Sequence, residues 1–456
     1  MATFMVREVV EATSGQVVQA VADQHFSGVC TDTRGIEAGC LFLALRGENF
    51  DGHNFVTTAF ERGAIGAIVE EDQPEYHRPG IAIFVVKDTL VALQQLARYH
   101  RRRFSIPLIA ITGSNGKTTT KDMIGMILAQ RYCVLKTEKN FNNEIGLSLT
   151  LLQLTEDHEV CVVEMGMRGA GQIKALANIA EPTIAVVTNV GTSHIELLGS
   201  QEQIAAAKRE LIEALPPTGI AILNYDDSFV WAMSGSCKGK CISYGIESSA
   251  TIYGSRIVYG NRNIKFNCRC FDEHFDVNLP MAGIHNVYNA LAAIAVGRVL
   301  GLCGKKLQNG LSHFGGTPMR QELVDIGGIT FINDAYNANP LSMERALHVL
   351  CQVGKKRKIA VLGDMLELGE WAENSHTEIG VLAAKAKLDA VVTVGHFARY
   401  IASAAAADGV PVTYSTDSHR AAYEYLKKML VPGDTVLLKG SRGMTMEKVL
   451  SFFERK

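Results

Sequence analysis

Apolar residues run without interruption through 107–112 (PLIAIT), 160–164 (VCVVE), 184–189 (IAVVTN) and 219–223 (GIAIL), most of the runs ending in polar residues. Such runs are what the strands of a parallel sheet need when both faces are covered. Their C-terminal ends then share one edge, where doubly wound folds bind ligands. The spacing predicts a helix in DTLVALQQLARYHRRRF, ahead of the first run, and another from about Thr118. Between Cys237 and Leu279 the text alternates (TIYGSRIVYGNRNIKFNCRC), which predicts antiparallel hairpins closed by a helix from about His285 to Leu300. After Gly315 and Gly316, ITFIND, SMERALHVLCQ, RKIAVLGD, SHTEIGVLAAKAK, DAVVTVG, PVTYS and DTVLLKG alternate strand with helix and predict a second parallel sheet. The first 86 residues hold shorter β-like runs among glycine turns. The expected fold is α/β in three domains: a small α/β domain over 1–86, a central parallel-sheet domain with added antiparallel strands over 87–316, and a C-terminal Rossmann-like domain over 317–456.

Composition narrows the function classes. A chain of 456 residues has room for two to four domains, and 47% hydrophobic with 20% charged residues is ordinary for a globular protein. A net charge of −2 argues against nucleic acid or an anionic membrane as partner, so any polyanion must meet local positive charge. Arg7 and Glu8 interrupt the start of the chain before a signal peptide could form, and Arg298 breaks the apolar stretch 290–302. A cytoplasmic protein without membrane insertion is expected. Of ten cysteines, Cys237, Cys241, Cys268 and Cys270 are grouped, but CxxxC and CxC are not the usual zinc spacings, so reduced, partly buried thiols are expected.

The strongest local signal is Thr112-Gly113-Ser114-Asn115-Gly116-Lys117-Thr118-Thr119, between an apolar strand and a helix. Glycines let backbone N–H groups turn around phosphate oxygens, the helix N-terminus adds positive potential, Lys117 supplies a mobile charge and Thr118 a hydroxyl for Mg²⁺. This predicts a P-loop ATPase in the central domain, with a loop two residues shorter than GxxxxGK[ST]. Glu164 ends the next buried strand, where a hard cation wants an oxygen ligand, and His194 follows the strand after that. Taken singly, Glu164 also reads as a turn cap and His194 as a solvated loop residue. Lys208 and Glu210, two apart on a helix, read as a solvated pair. Asn286 and Asn289, three apart, share a helix face and can read an adenine edge or a phosphate, although Asn286 also suits a cap. Arg320 suits bidentate phosphate binding and Asp334 a ribose hydroxyl. Asp364, His376 and Lys439 to Arg442 extend this polar edge, each with loop solvation as its plain alternative.

Together these residues resemble the Mur ligase family, the ATP-dependent amide-forming enzymes of peptidoglycan precursor synthesis, over essentially the whole chain. TGSNGKTT resembles the family's phosphate loop; Glu164, His194 and the GxHNxxNA segment sit where the family has magnesium and nucleotide residues, and Arg320 and Asp334 match its last two invariant positions. NDAYNANPLSM, VLGDMLELG and KGSRGMTME are similar to the branch that adds D-alanyl-D-alanine to UDP-MurNAc-tripeptide; the YAHTPD-like segment of the preceding, amino-acid-adding branch is absent. The resemblance implies a UDP-sugar domain over 1–86, with Thr31, Asp32, Thr33, Arg34, Arg46 and Gly47, together with Asn142 and Asn143, binding substrate. It also implies ATP and Mg²⁺ as cofactors and Lys117, Glu164, His194, Lys208 and Arg320 as catalytic residues. Thr118, Glu164, His194 and Lys208 are the implied metal residues, Lys208 as a carbamate, while Asn286, Asn289, Asp334 and Asn337 hold the nucleotide. The family usually has glycine before the arginine; here Met319 stands there. A monomer is expected. The rivals are another ligase step of the same family, a P-loop small-molecule kinase and a non-catalytic nucleotide-binding scaffold.

Overall fold

The computed structural model describes residues 2–47, 50–193, 195–247 and 250–454. Among them, three large sheets follow one another along the chain. The first has five strands, ordered Gln16–Gln19, Ala82–Val85, Gly66–Val69, Leu41–Leu43, Val29–Cys30, parallel except for the first pair. The second has nine, beginning Val134–Lys136, Val160–Glu164, Leu108–Thr112, Ile184–Val187, Ile220–Asn224. Along Leu108–Thr112, Leu108 and Ala110 face one core while Ile109 and Ile111 face the other, which is why the run is apolar throughout. Helices Lys117–Leu128 and Ile284–Val299 cover one side, and Thr89–Arg101, Glu144–Leu151, Gln172–Ala180 and Gln201–Glu213 cover the other. That second core is continuous with the first sheet: Phe4, Phe26, Leu41 and Phe84 belong to the same cluster as Leu93, Leu96, Leu147 and Leu151.

Two strand expectations need correction. Lys240–Gly245 lies parallel to Ile220–Asn224, and Tyr244 pairs with Ile252 in parallel as well, so only Ile252–Tyr259, Ile264–Cys270 and Glu273–Leu279 form the antiparallel part. The helix Ser228–Ala232 supplies the crossover that a parallel pair requires. The C-terminal sheet of six is parallel from Ile329–Asp334 onward, but Glu322–Ile326 adds an antiparallel edge strand. Cys268 and Cys270, two apart on one strand, lie in the core, while Cys237 and Cys241 are half-buried. Among the described residues, no helix is long and apolar enough to cross a membrane. The second and third sheets meet at a cavity of about 950 Å³.

Candidate active site

The phosphate loop begins at the end of Leu108–Thr112 and feeds directly into helix Lys117–Leu128. Gly113 has φ 148°, and a Cβ there would lie 1.9 Å from the Thr188 hydroxyl; Gly116 has φ 83°, and its Cβ would lie 2.6 Å from Asn289 Oδ1. Neither position admits a side chain without moving those neighbours. The Lys117 ammonium donates back to the Gly113 carbonyl at 2.7 Å, folded over the loop it serves. Burial lowers its pKa; Glu164 opposes this and Arg320 adds to it. Gly113, Ser114, Asn115, Gly116, Lys117 and Thr119 line the cavity. Thr112 donates its hydroxyl to the Met165 carbonyl at 3.0 Å, and Thr118 is buried beside the loop without lining the cavity.

Glu164 and Lys208 reach the same cavity from neighbouring elements. Glu164 Oε1 accepts from the Asn142 side-chain amide at 2.9 Å, whereas Oε2 is buried without a partner. Asn143 caps helix Glu144–Leu151 by accepting from the Gly146 N–H at 2.9 Å. Lys208 is buried, which corrects its reading as a solvated residue; burial and then the charge of Lys117 hold its pKa well below the usual lysine value. Glu210 faces elsewhere, accepting from the Gly171 and Lys174 N–H groups. His194 lies outside the described residues, and among those described no three His, Cys, Asp or Glu side chains converge as a metal cluster.

The C-terminal sheet supplies the opposite wall. Arg320 stacks on Tyr336 with its guanidinium carbon 4.1 Å from the ring centre, and its Nε is buried without a hydrogen-bond partner. Met319 and Gln321 on either side have φ 58° and 54°, so the place where the family usually has glycine is a left-handed position, occupied here at some strain. Asp334 lines the cavity and is paired there: Lys439, directly opposite it on the neighbouring strand, donates to it at 2.7 Å and to the Asn337 carbonyl at 2.9 Å. Asn286 donates to the Ala282 carbonyl and to Gln321, and Asn289 donates to Asn286. Burial pushes the neighbouring His285 down to about 3. An adjoining cavity of about 350 Å³ shares His285 and Asn289 and is walled by Asn189, Asn224, Asp227 and Tyr288.

Other predicted residues lie away from this site or serve structure. Thr31, Asp32, Thr33 and Arg34 follow the edge strand Val29–Cys30 of the first sheet, Arg46 and Gly47 form a separate two-stranded ribbon with Phe50–Asp51, and none of them lines either cavity. Asp32 pairs with Arg34, which takes its carboxyl down to about 2, and Arg46 pairs with Asp51 at 3.1 Å and Glu70 at 2.9 Å. Asp364 accepts from the His396 and Ala398 N–H groups, and His376 is buried, accepting from the Met365 N–H at 2.9 Å; both are structural. Sequence reasoning missed Asn339, whose side-chain amide donates to Asn115 Oδ1 at 2.8 Å and to Ser193 Oγ at 2.7 Å across the two sheets.

Residues 111–297 match the Mur ligase middle domain, 319–442 the glutamate ligase domain and 25–101 the Mur ligase family catalytic domain. The UDP-N-acetylmuramoyl-tripeptide–D-alanyl-D-alanine ligase of Synechocystis sp. is 40% identical over 99% of this chain and 97% of its own length. The chain belongs to the Mur ligase family. The like-named Bacillus subtilis ligase is 39% identical over 98% of the chain and 97% of itself. Among solved Mur ligases, MurF from Acinetobacter baumannii superposes with a TM-score of 0.92 at 33% identity, covering both chains completely. MurF of Thermotoga maritima in complex with ADP superposes at 0.85 with 29% identity, over 94% of this chain and 97% of that one.

Proposed function

We propose that this Mur ligase joins D-alanyl-D-alanine to UDP-MurNAc-tripeptide with ATP as the energy source, in the cytoplasm. The observation that carries the reading is that Lys117 of the second sheet and Arg320 of the third line one cavity, so a single triphosphate can meet both. Near-full-length relatives at 39–40% identity bear the name of this reaction. The tripeptide's terminal carboxylate attacks the γ-phosphate in line, forming an acyl phosphate and ADP; the dipeptide amine then displaces phosphate. Loop N–H groups and Lys117 hold the β- and γ-phosphates, and Arg320 stabilises charge on the transferring group. Asn286, Asn289, Asp334 and Asn337 hold the nucleoside, with the adjoining cavity as room for the base. The first domain, with Thr31, Asp32, Thr33, Arg34, Arg46 and Gly47, holds the UDP-sugar.

The site suits Mg²⁺. Glu164 Oε2 is a buried carboxylate oxygen without a partner, and Lys208 is a buried amine whose lowered pKa favours the neutral form that takes up CO₂ to become a carbamate. Glu164, His194 and carbamylated Lys208 would hold the ion, with Asn142 orienting Glu164. When bound, Mg²⁺ neutralises phosphate charge. Phosphate release should require ATP, UDP-MurNAc-tripeptide and D-Ala-D-Ala together. Full turnover without the dipeptide would favour a kinase or simple ATPase and overturn the proposal.

A further inference from the structure

Asn339 does two jobs with one carboxamide. It is the N-cap of helix Pro340–Val353: its Oδ1 accepts from the Ser342 N–H at 2.9 Å, and its own N–H donates to Ser342 Oγ at 2.9 Å. A cap needs only the oxygen. The amide nitrogen instead crosses to the second sheet, donating to Asn115 of the phosphate loop and to Ser193. Asn115 is anchored from beneath as well: its N–H donates to Asn189 Oδ1 at 2.9 Å, and its carbonyl accepts from Thr188 Oγ1 at 2.6 Å and Asn189 Nδ2 at 2.9 Å. Loop, strand end and C-terminal helix therefore converge on one buried amide.

We infer that Asn339 is a positioning residue for phosphoryl transfer, which ties the phosphate loop to the unit that carries Arg320. The inference rests on the ligase reading above. Arg320 and Asn339 belong to the same C-terminal unit, so the approach that brings the arginine over Lys117 also forms the Asn339 contacts. With the tie cut, Arg320 keeps its charge but is in place less often. The phosphates themselves rest on loop N–H groups and Lys117, so nucleotide affinity should be spared.

Asn339→Ser tests this, because serine keeps a capping oxygen but is too short to reach Asn115 or Ser193. Two lost hydrogen bonds should lower kcat about tenfold, leave ADP affinity within about twofold, and leave the thermal midpoint within about 2 °C. Ser193→Ala should lower kcat less, and the double variant should lose no more than Asn339→Ser alone. An unchanged kcat, a midpoint that falls in step with activity, a loss confined to ADP affinity, or additive effects in the double variant would each overturn the inference. The wild type in the same assay keeps the two levels apart. A wild type that joins no dipeptide sinks the ligase reading, whereas an active wild type matched by Asn339→Ser sinks only the role of Asn339.

Discussion

Asp334 and Lys439 are register partners on adjacent parallel strands, 2.7 Å apart, with side chains 12% and 3% exposed. Among the described residues Lys439 meets one other acceptor, the Asn337 carbonyl, and burial pulls its pKa below the usual value. Asp334→Asn keeps the shape but strands an ammonium in the interior, which should cost about 3–5 kcal/mol. For a C-terminal unit of this size that is a drop of about 10–20 °C in its melting transition, read by calorimetry on the full chain. Asp334→Asn combined with Lys439→Met removes both charges and should recover most of the loss. If Asp334 also holds the nucleotide, the double variant will be stable yet inactive. A loss below about 1 kcal/mol for Asp334→Asn, or a double variant no more stable than the single one, would refute the view that this pair is a buried charge couple that stands or falls together.

Lys117→Ala should lower turnover by about 10²–10³ or more without lowering the melting temperature, because the ammonium is desolvated and, among the described residues, bonded only to loop carbonyls; phosphate release and calorimetry check both halves. His100, buried against the Leu154 carbonyl, is pushed down to about 4, so the unfolded chain binds a proton that the folded chain does not between pH 6.5 and 4. Stability should therefore be intact above about pH 6.5 and fall by about 3 kcal/mol as pH drops to 4; His100→Phe should flatten that slope. Activity should fall at least about tenfold in CO₂-free buffer and return with bicarbonate if Lys208 works as a carbamate, and a mass increase of one CO₂ should vanish in Lys208→Arg. Equal activity in both buffers would remove that role.

The phosphate loop is legible because Gly113 and Gly116 stand where no side chain fits, and the two-faced apolar runs announce the parallel strands. Spacing against Glu210 alone reads Lys208 as solvated, although a signal for burial is present: Ile204, Leu211 and Ile212, at four before, three after and four after, put it in the middle of the helix's buried stripe. A lysine there is buried, and spacing against Glu210 could not reveal it. Asp364 and His376 look like ligand-edge residues in the text, but their hydrogen bonds go to nearby loop and helix backbone of the same unit. The parallel setting of Lys240–Gly245 was hidden because period-2 alternation is the same for either strand direction. Asn339 was hidden because a contact across 224 residues leaves no local periodicity.

The first sheet and the second share one hydrophobic cluster, threaded by helix Thr89–Arg101, whereas Gly315 and Gly316, ahead of the third sheet, have open space around them. The crossing from the second sheet to the third therefore runs through two uncrowded glycines. On the ligase reading proposed above, a swing at that crossing would leave the first and second sheets together as one block and close the Arg320-bearing third sheet on them. With the UDP-sugar held by the first domain as proposed, the shared core would fix the span that the tripeptide has to bridge, so that its length would act as a ruler the enzyme need not reset at each turnover.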